Sequence, residues 1–340
     1  MIEVVFVPSV GSGLGVGNLL RCLMIADALG DRARSIFCLE GTLPELDVVS
    51  MGNVICVPER ELEKSISSCE AIVFDKQGPI RVDTYFQELK QVYGDVPLIV
   101  MDYFYRDDCS IDVMINLSNH RETDWPKERK SVEYYEGLDY AVIRSPYLKL
   151  RPAEPLGSDR VEDVLVTFGG EDARNWTAKT VSWLEHHVEW KLDVKVIIGA
   201  LNESIDSLEK IIQGPVFHRY SLMQHARDIE VHARNADLVF CGGGTTILEM
   251  AFLGKPVVAL PQHNMERLFL RKFEENGFLL PSFEACIGNL DAYPAMRLFR
   301  DRRLRMRLSR IGMGLVDGMG AFRIADIIMR KATAFQSHSH

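Results

Sequence analysis

Three glycine-rich turns, each set between an apolar run and a helical pattern, are where this sequence can do chemistry. The first is Gly11-Ser12-Gly13-Leu14-Gly15-Val16-Gly17. Gly13, Gly15 and Gly17 let main chain approach a ligand closely, and the N–H groups of the following helix start suit an anion. The segment has neither the GK[ST] of a phosphate-binding loop nor the G-x-G-x-x-G of dinucleotide sites, so alone it reads equally as a ligand loop or a tight turn. The second turn is Phe168-Gly169-Gly170-Glu171-Asp172. The third is Cys241-Gly242-Gly243-Gly244-Thr245-Thr246, with Glu249 one helical turn on. Here Thr245 or Thr246 can cap a helix whose first N–H groups point outward, at the positive end of its dipole. A diphosphate fits that position. Glu249 then either reaches the hydroxyls of a ribose or closes a capping box with Thr246. A fourth polar cluster, Pro261-Gln262-His263-Asn264-Met265-Glu266-Arg267, follows another apolar run, at the place where open α/β sheets bind ligands.

The elements that must position these turns alternate. Val4–Val7, Ser35–Leu39, Asn53–Val57, Ala71–Phe74, Leu98–Met101 and Val113–Leu117 are short apolar runs, as in parallel strands buried on both faces. Helical patterns at Leu19–Leu29, Glu59–Ser67 and Val82–Val92 lie between them. The proline-rich stretch Ser145 to Asp159 breaks the rhythm and reads as a linker. The alternation then restarts with strands Val164–Phe168, Val194–Ile198, Leu238–Cys241 and Pro256–Leu260, and helices Thr177–Val188, Ser204–Ile212 and Thr246–Leu253. The pattern predicts two doubly wound parallel-sheet domains, 1–150 and 160–330, facing a central cleft, with 331–340 as a disordered tail.

Composition narrows the function. The chain has 340 residues, is 47% hydrophobic and 26% charged, and carries a formal net charge of −9. That charge disfavours broad binding to nucleic acid or anionic lipid. Seven arginines between Arg297 and Arg310 oppose the trend; Leu304, Leu308, Ile311 and Leu315 recur among or just after them at helical spacing, so the run reads as a solvated basic helix face rather than a phosphate patch. No apolar stretch is long enough to span a bilayer. The opening MIEVVFVPSV reads as a first strand, not a signal peptide. Seven cysteines without CxxC spacing point to a reducing cytoplasm and against a zinc site.

Taken in order, these segments resemble one family. GSGLGVGNLLRCLMIADAL, GLDYAVIR, VLVTFGGEDARNWTAKTV, ADLVFCGGGTTILEMAFLGKPVVAL and LVDGMGAFRIADII are similar to the UDP-sugar hydrolases of pseudaminic acid biosynthesis and their spore-coat polysaccharide glycosyltransferase relatives. More distantly the chain resembles the GT-B transferase that forms lipid II. The resemblance implies a GT-B fold whose carboxy-terminal half binds a UDP-linked sugar, with no metal and no further cofactor. It implies that Gly243, Gly244, Thr245 and Thr246 hold the diphosphate and Glu249 the ribose, that Gly169, Gly170 and Asn175 face the cleft, and that Gly13, Gly15, Gly17 and Arg21 approach the reacting sugar.

Two departures touch the reaction site. The family pattern G-x-G-H, followed by x-x-R, reads Gly15-Val16-Gly17-Asn18 and then Arg21 here. A carboxamide cannot take the proton that a histidine takes near neutral pH, though Asn18 can orient a water or hydroxyl, or cap the helix. Where the family has Asn-Gln, this chain has Asn264-Met265. Carboxylates at strand ends, Asp102, Asp172 and Glu171, are the candidates to replace the missing base. The expected activity is sugar transfer from a nucleotide donor to a glycan or small-molecule acceptor. The alternatives are hydrolysis of a UDP-sugar and non-catalytic nucleotide-sugar binding.

Overall fold

The computed structural model describes residues 1–9, 17–39, 54–58, 69–75, 90–91, 94–102, 111–117, 132–155, 157–170, 172–199, 202, 205–224, 226, 228–280 and 293–338. The chain divides into two compact units, Met1–Arg144 with Gly318–His340, and Ser145–Asp317.

The first unit is built on a seven-stranded sheet in the order β3-β2-β1-β4-β5-β6-β7. Its strands are β1 (Ile2–Pro8), β2 (Ala33–Leu39), β3 (Val54–Pro58), β4 (Ala71–Asp75), β5 (Leu98–Met101), β6 (Val113–Asn116) and β7 (Glu133–Glu136). Every neighbouring pair is parallel; Val4 of β1 lies opposite Ser35 of β2 and Ala71 of β4. The central strands are buried on both faces, and their β-branched and aromatic side chains divide between two apolar layers. Helix α1 (Gly17–Leu29) covers one layer through Leu19, Cys22, Ile25, Ala26 and Leu29. Phe6 and Phe37 stack at 4.9 Å on the same side.

The second unit holds a five-stranded parallel sheet in the order β10-β9-β8-β11-β12. Its elements are α2 (Ser145–Leu148), β8 (Asp163–Thr167), α3 (Trp176–His187), β9 (Asp193–Ile198), α4 (Ile205–Ile212), β10 (Arg219–Gln224), α5 (Ile229–Asn235), β11 (Leu238–Cys241), α6 (Thr245–Phe252), β12 (Val257–Ala259), α7 (Asn264–Glu275), α8 (Tyr293–Arg300) and α9 (Arg302–Leu315). The last helix, α10 (Gly320–His338), belongs to the first unit, where Ile324, Ala325, Ile328 and Ala332 join the layer against α1.

Three expectations change. The first boundary falls at Arg144 rather than 150, and the chain re-enters the first unit at Gly318 instead of ending in the second. At that return, a Cβ on Gly320 would sit 2.2 Å from the Ala141 carbonyl oxygen, so only glycine allows the approach. The proposed disordered tail is helical through His338, with Phe335 packed on an apolar layer. The proline-rich stretch is not a free linker. Arg151 donates to the Val316 and Met313 carbonyls at 2.7 Å each, and buried Arg305 donates to those of Ser158 and Asp159. The helices expected at Glu59–Ser67 and Val82–Val92 lie largely outside the described residues. Among the described residues, no helix is long and apolar enough to cross a membrane.

Candidate functional site

In the first unit, four neighbouring strands deliver polar side chains to one edge of the sheet. Asp75 is the last residue of β4, Asp102 follows β5, Asn116 ends β6, and α1 after β1 carries Asn18 and Arg21. A parallel sheet places all its strand ends on the same side, so these residues gather although they lie far apart in sequence. Arg21 is their hub. Its Nε and Nη2 donate to the two oxygens of Asp75 at 2.8 and 2.6 Å, and its Nη1 donates to Asp102 Oδ2. Asp102 Oδ1 accepts the Leu117 N–H at 2.7 Å. Asn18 Nδ2 donates to the Asp75 carbonyl and to Asp75 Oδ1, each at 3.0 Å.

Burial works against the Arg21 cation, but the two carboxylates hold its pKa well above the ordinary value. Burial likewise pushes the Asp75 carboxyl up, against the pull of Arg21. The Cys22 thiol, buried beside Asp75, is raised well above its usual range and is no nucleophile. Asn18 lies inside α1, one residue past its start at Gly17, and its amide group is given to Asp75 rather than to capping. Gly13 and Gly15 lie outside the described residues. Sequence reasoning selected Asp102 and Arg21 but missed Asp75, their anchor. The available signal was its position: AIVFD and VMIN each end a buried apolar run in a polar residue.

In the second unit the turns after β8, β11 and β12 are tied together. Asp172, expected as a candidate base, is a helix cap: its Oδ1 accepts the Trp176 N–H at 2.7 Å and its Oδ2 the Thr177 N–H at 2.9 Å. Both oxygens serve the orphan donors of α3, because the N-cap residue Asn175 sits in the left-handed region at φ 54° and makes no side-chain cap. Gly169 and Gly170 are exposed ahead of it. Glu171 lies outside the described residues. Gln262 Nε2 donates to the Phe168 carbonyl at 3.2 Å, and its Oε1 accepts the Arg174 N–H.

Gly243 passes directly under α7: a Cβ there would meet Glu266 Cβ at 2.9 Å and Leu270 Cγ at 3.0 Å. Glu266 Oε2 accepts the N–H groups of Gly243 at 3.0 Å and Gln262 at 2.7 Å. One amide of the glycine turn is therefore already spent within the protein. The helix start beyond it is not. Gly244, rather than Thr245 or Thr246, is the N-cap of α6, and no side chain caps it. Thr245 is exposed and Thr246 half-buried, and their backbone N–H groups have no partner among the described residues. Glu249 is buried in α6, too far along the helix for a capping box begun at Gly244. Asn264, the first residue of α7, is exposed. Among the described residues, no three His, Cys, Asp or Glu side chains are grouped as metal ligands.

Two parallel α/β sheets in one chain, each with its polar side chains or glycine turns at the strand ends, invite comparison with solved structures. MurG of Acinetobacter baumannii superposes with a TM-score of 0.65, covering 97% of this chain and 100% of that one at 12% identity. The chain has the fold of the GT-B glycosyltransferases. The MnaA–UDP co-structure from S. aureus matches with a TM-score of 0.60 at 15% identity, over 95% of both chains. In sequence, the chain is 23% identical over 200 residues to the spore coat polysaccharide biosynthesis protein SpsG of Bacillus subtilis, covering 57% of each. It thus spans little more than half the length of that curated relative. No family model matches the chain. The expected fold class and the resemblance to spore-coat polysaccharide proteins hold.

Proposed function

We propose that this chain is a glycosyltransferase of surface-glycan synthesis that takes a UDP-linked sugar as donor and needs no metal ion. The observation that carries this reading is the start of α6. A buried strand leads into three glycines, and the first amides of the helix that follows have no partner among the described residues. A pyrophosphate placed there meets unpaired N–H groups and the positive end of the helix dipole. Such fixed donors stabilise the departing diphosphate without a cation. Glu249 takes the ribose hydroxyls. The buried thiols Cys22, Cys38, Cys69 and Cys241 fit a cytoplasmic setting.

In the first unit, Asp102 is the base we assign to the acceptor hydroxyl. It is the more exposed of the two carboxylates on Arg21, at 16% against 1% for Asp75. Asp75 and Asn18 are positioning residues: Asn18 holds Asp75, Asp75 holds Arg21, and Arg21 orients the Asp102 carboxylate. The MurG fold and the polysaccharide role in the name of SpsG support transfer over hydrolysis.

The test is to incubate the purified chain with a panel of UDP- and CMP-sugars, with and without candidate acceptors. Transfer predicts UDP release that depends on acceptor. Release without acceptor contradicts transfer in favour of hydrolysis, and binding without turnover contradicts both.

A further inference from the structure

The basic run is the strongest charge feature of the chain, and the proposed reaction does not use it. Seven arginines and a single acid, Asp301, lie between Tyr293 and Leu315, in a chain of net charge −9. One of the seven is structural. Arg305 is buried, and its guanidinium donates to the carbonyls of Leu298, Phe299, Ser158 and Asp159. The expected solvated basic face does not include that residue, because its side chain closes the end of α8 and straps the 157–159 segment onto α9. The other six, Arg297, Arg300, Arg302, Arg303, Arg307 and Arg310, are exposed.

Their arrangement on α9 is ordered. Arg303, Arg307 and Arg310 are spaced by four and three residues and share one face. Leu304, Arg305, Leu308, Ser309 and Gly312 form the buried face opposite. Asp301 caps the helix, accepting the Leu304 N–H at 2.9 Å, so the stripe stands on a fixed scaffold. Arg302 pairs with Asp159 at 3.1 Å. Arg303, Arg307 and Arg310 form no ion pair among the described residues. Like charges stacked at this spacing oppose the helix, and no acid on the same face offsets them. Solubility alone would be served as well by lysine, yet the run contains none. Guanidinium groups are the side chains that bind phosphate oxygens in bidentate fashion.

We propose that the outer face of α9 docks the protein on a membrane surface bearing anionic phospholipid. The arginines stand on the outside of a helix and do not converge, so they suit an extended field of phosphates rather than one small anion. No aromatic side chain is exposed on α9 to stack with bases, which disfavours single-stranded nucleic acid. The rest of the chain is acidic, so an anionic surface attracts this face and repels the others, which orients the molecule. This docking is independent of the donor-binding reading.

Co-sedimentation of the full chain with vesicles of phosphatidylcholine, with and without phosphatidylglycerol, tests it at about 0.1 M salt, where screening is still modest. The wild type is expected to bind only the anionic vesicles and to come off as salt rises. Each surface-facing arginine is worth about fivefold in partitioning. The exposed triple variant Arg303→Gln, Arg307→Gln, Arg310→Gln should therefore lose on the order of 100-fold, with a circular-dichroism melt no lower than that of the wild type. Equal binding to both vesicle types, insensitivity to salt, or a triple variant that binds like the wild type overturns the proposal. So does tighter binding of duplex DNA than of anionic vesicles, which would assign the face to nucleic acid.

Discussion

Arg21 pairs with both Asp75 and Asp102, and removing it tests that role against a control beside it. Arg21→Met keeps most of the stem volume but leaves Asp75, 1% exposed, and Asp102 facing each other without their cation. Breaking a buried pair from one side costs about 3–5 kcal/mol, because the remaining charge is uncompensated. That corresponds to a fall in melting midpoint on the order of 10 °C for a unit of this size. Asp75→Asn is gentler. Asp102 still pairs with Arg21, and the asparagine oxygen still accepts one of its N–H bonds, so the cost is about 1–3 kcal/mol. Urea unfolding at neutral pH, followed by circular dichroism, should rank the arginine variant clearly below the aspartate variant. A second signature separates charge from packing. In Arg21→Met the buried Asp75 carboxyl, already raised by burial, loses the opposing pull of Arg21, so the folded form binds a proton there more readily than the unfolded one. Its deficit should therefore shrink as pH falls toward about 4. Equal costs, the reverse order, or a deficit that does not change with pH would refute the reasoning.

Two further outcomes follow from the second unit. Burial lowers the Lys255 amine to about 8, while its Nζ donates to the Ala236 carbonyl at 2.8 Å. The unfolded chain holds that proton up to about pH 10.4, so Lys255 should add up to about 3 kcal/mol to stability between pH 8 and 10, while the raised thiols Cys22, Cys69 and Cys241 act in the opposite direction. In a pH series of urea melts the stability of the wild type relative to Lys255→Met should therefore grow over that range; a difference that stays constant would exclude the Lys255 contribution. Gly243→Ala puts a methyl group 2.9 Å from Glu266 Cβ and 3.1 Å from the Glu266 carbonyl oxygen. Such overpacking costs about 1–3 kcal/mol and shifts α7, so both the melting midpoint and UDP affinity should fall; a variant unchanged in both would show that α7 yields freely.

Much of the fold was legible because parallel strands are apolar along their whole length. The buried runs Val4–Val7, Ala71–Phe74 and Leu238–Cys241 fall inside the observed β1, β4 and β11. The edge strands β7, EYYE, and β10, RYSLMQ, were missed because their side chains are only partly buried and their composition is polar. The return of α10 to the first unit could not be read, since an apolar helical stripe does not say which sheet it covers. At the site, the glycine turn before α6 was legible from its spacing, but its cap was not: Gly244 takes the place expected of a threonine. The capping role of Asp172 was not legible because an aspartate just before a helix serves equally as a cap or as a base, and the bonds to Trp176 and Thr177 appear only in the structure. Asp75 was overlooked because nothing glycine-rich marks the end of β4.

The central claim is that the start of α6 holds a pyrophosphate, and amide chemical shifts read that position directly. Titrating the ¹⁵N-labelled chain with UDP should move the signals of Gly244, Thr245 and Thr246 most, in step with a single saturable binding curve. Saturable binding that leaves these three amides in place, or no binding of UDP at all, would contradict the account.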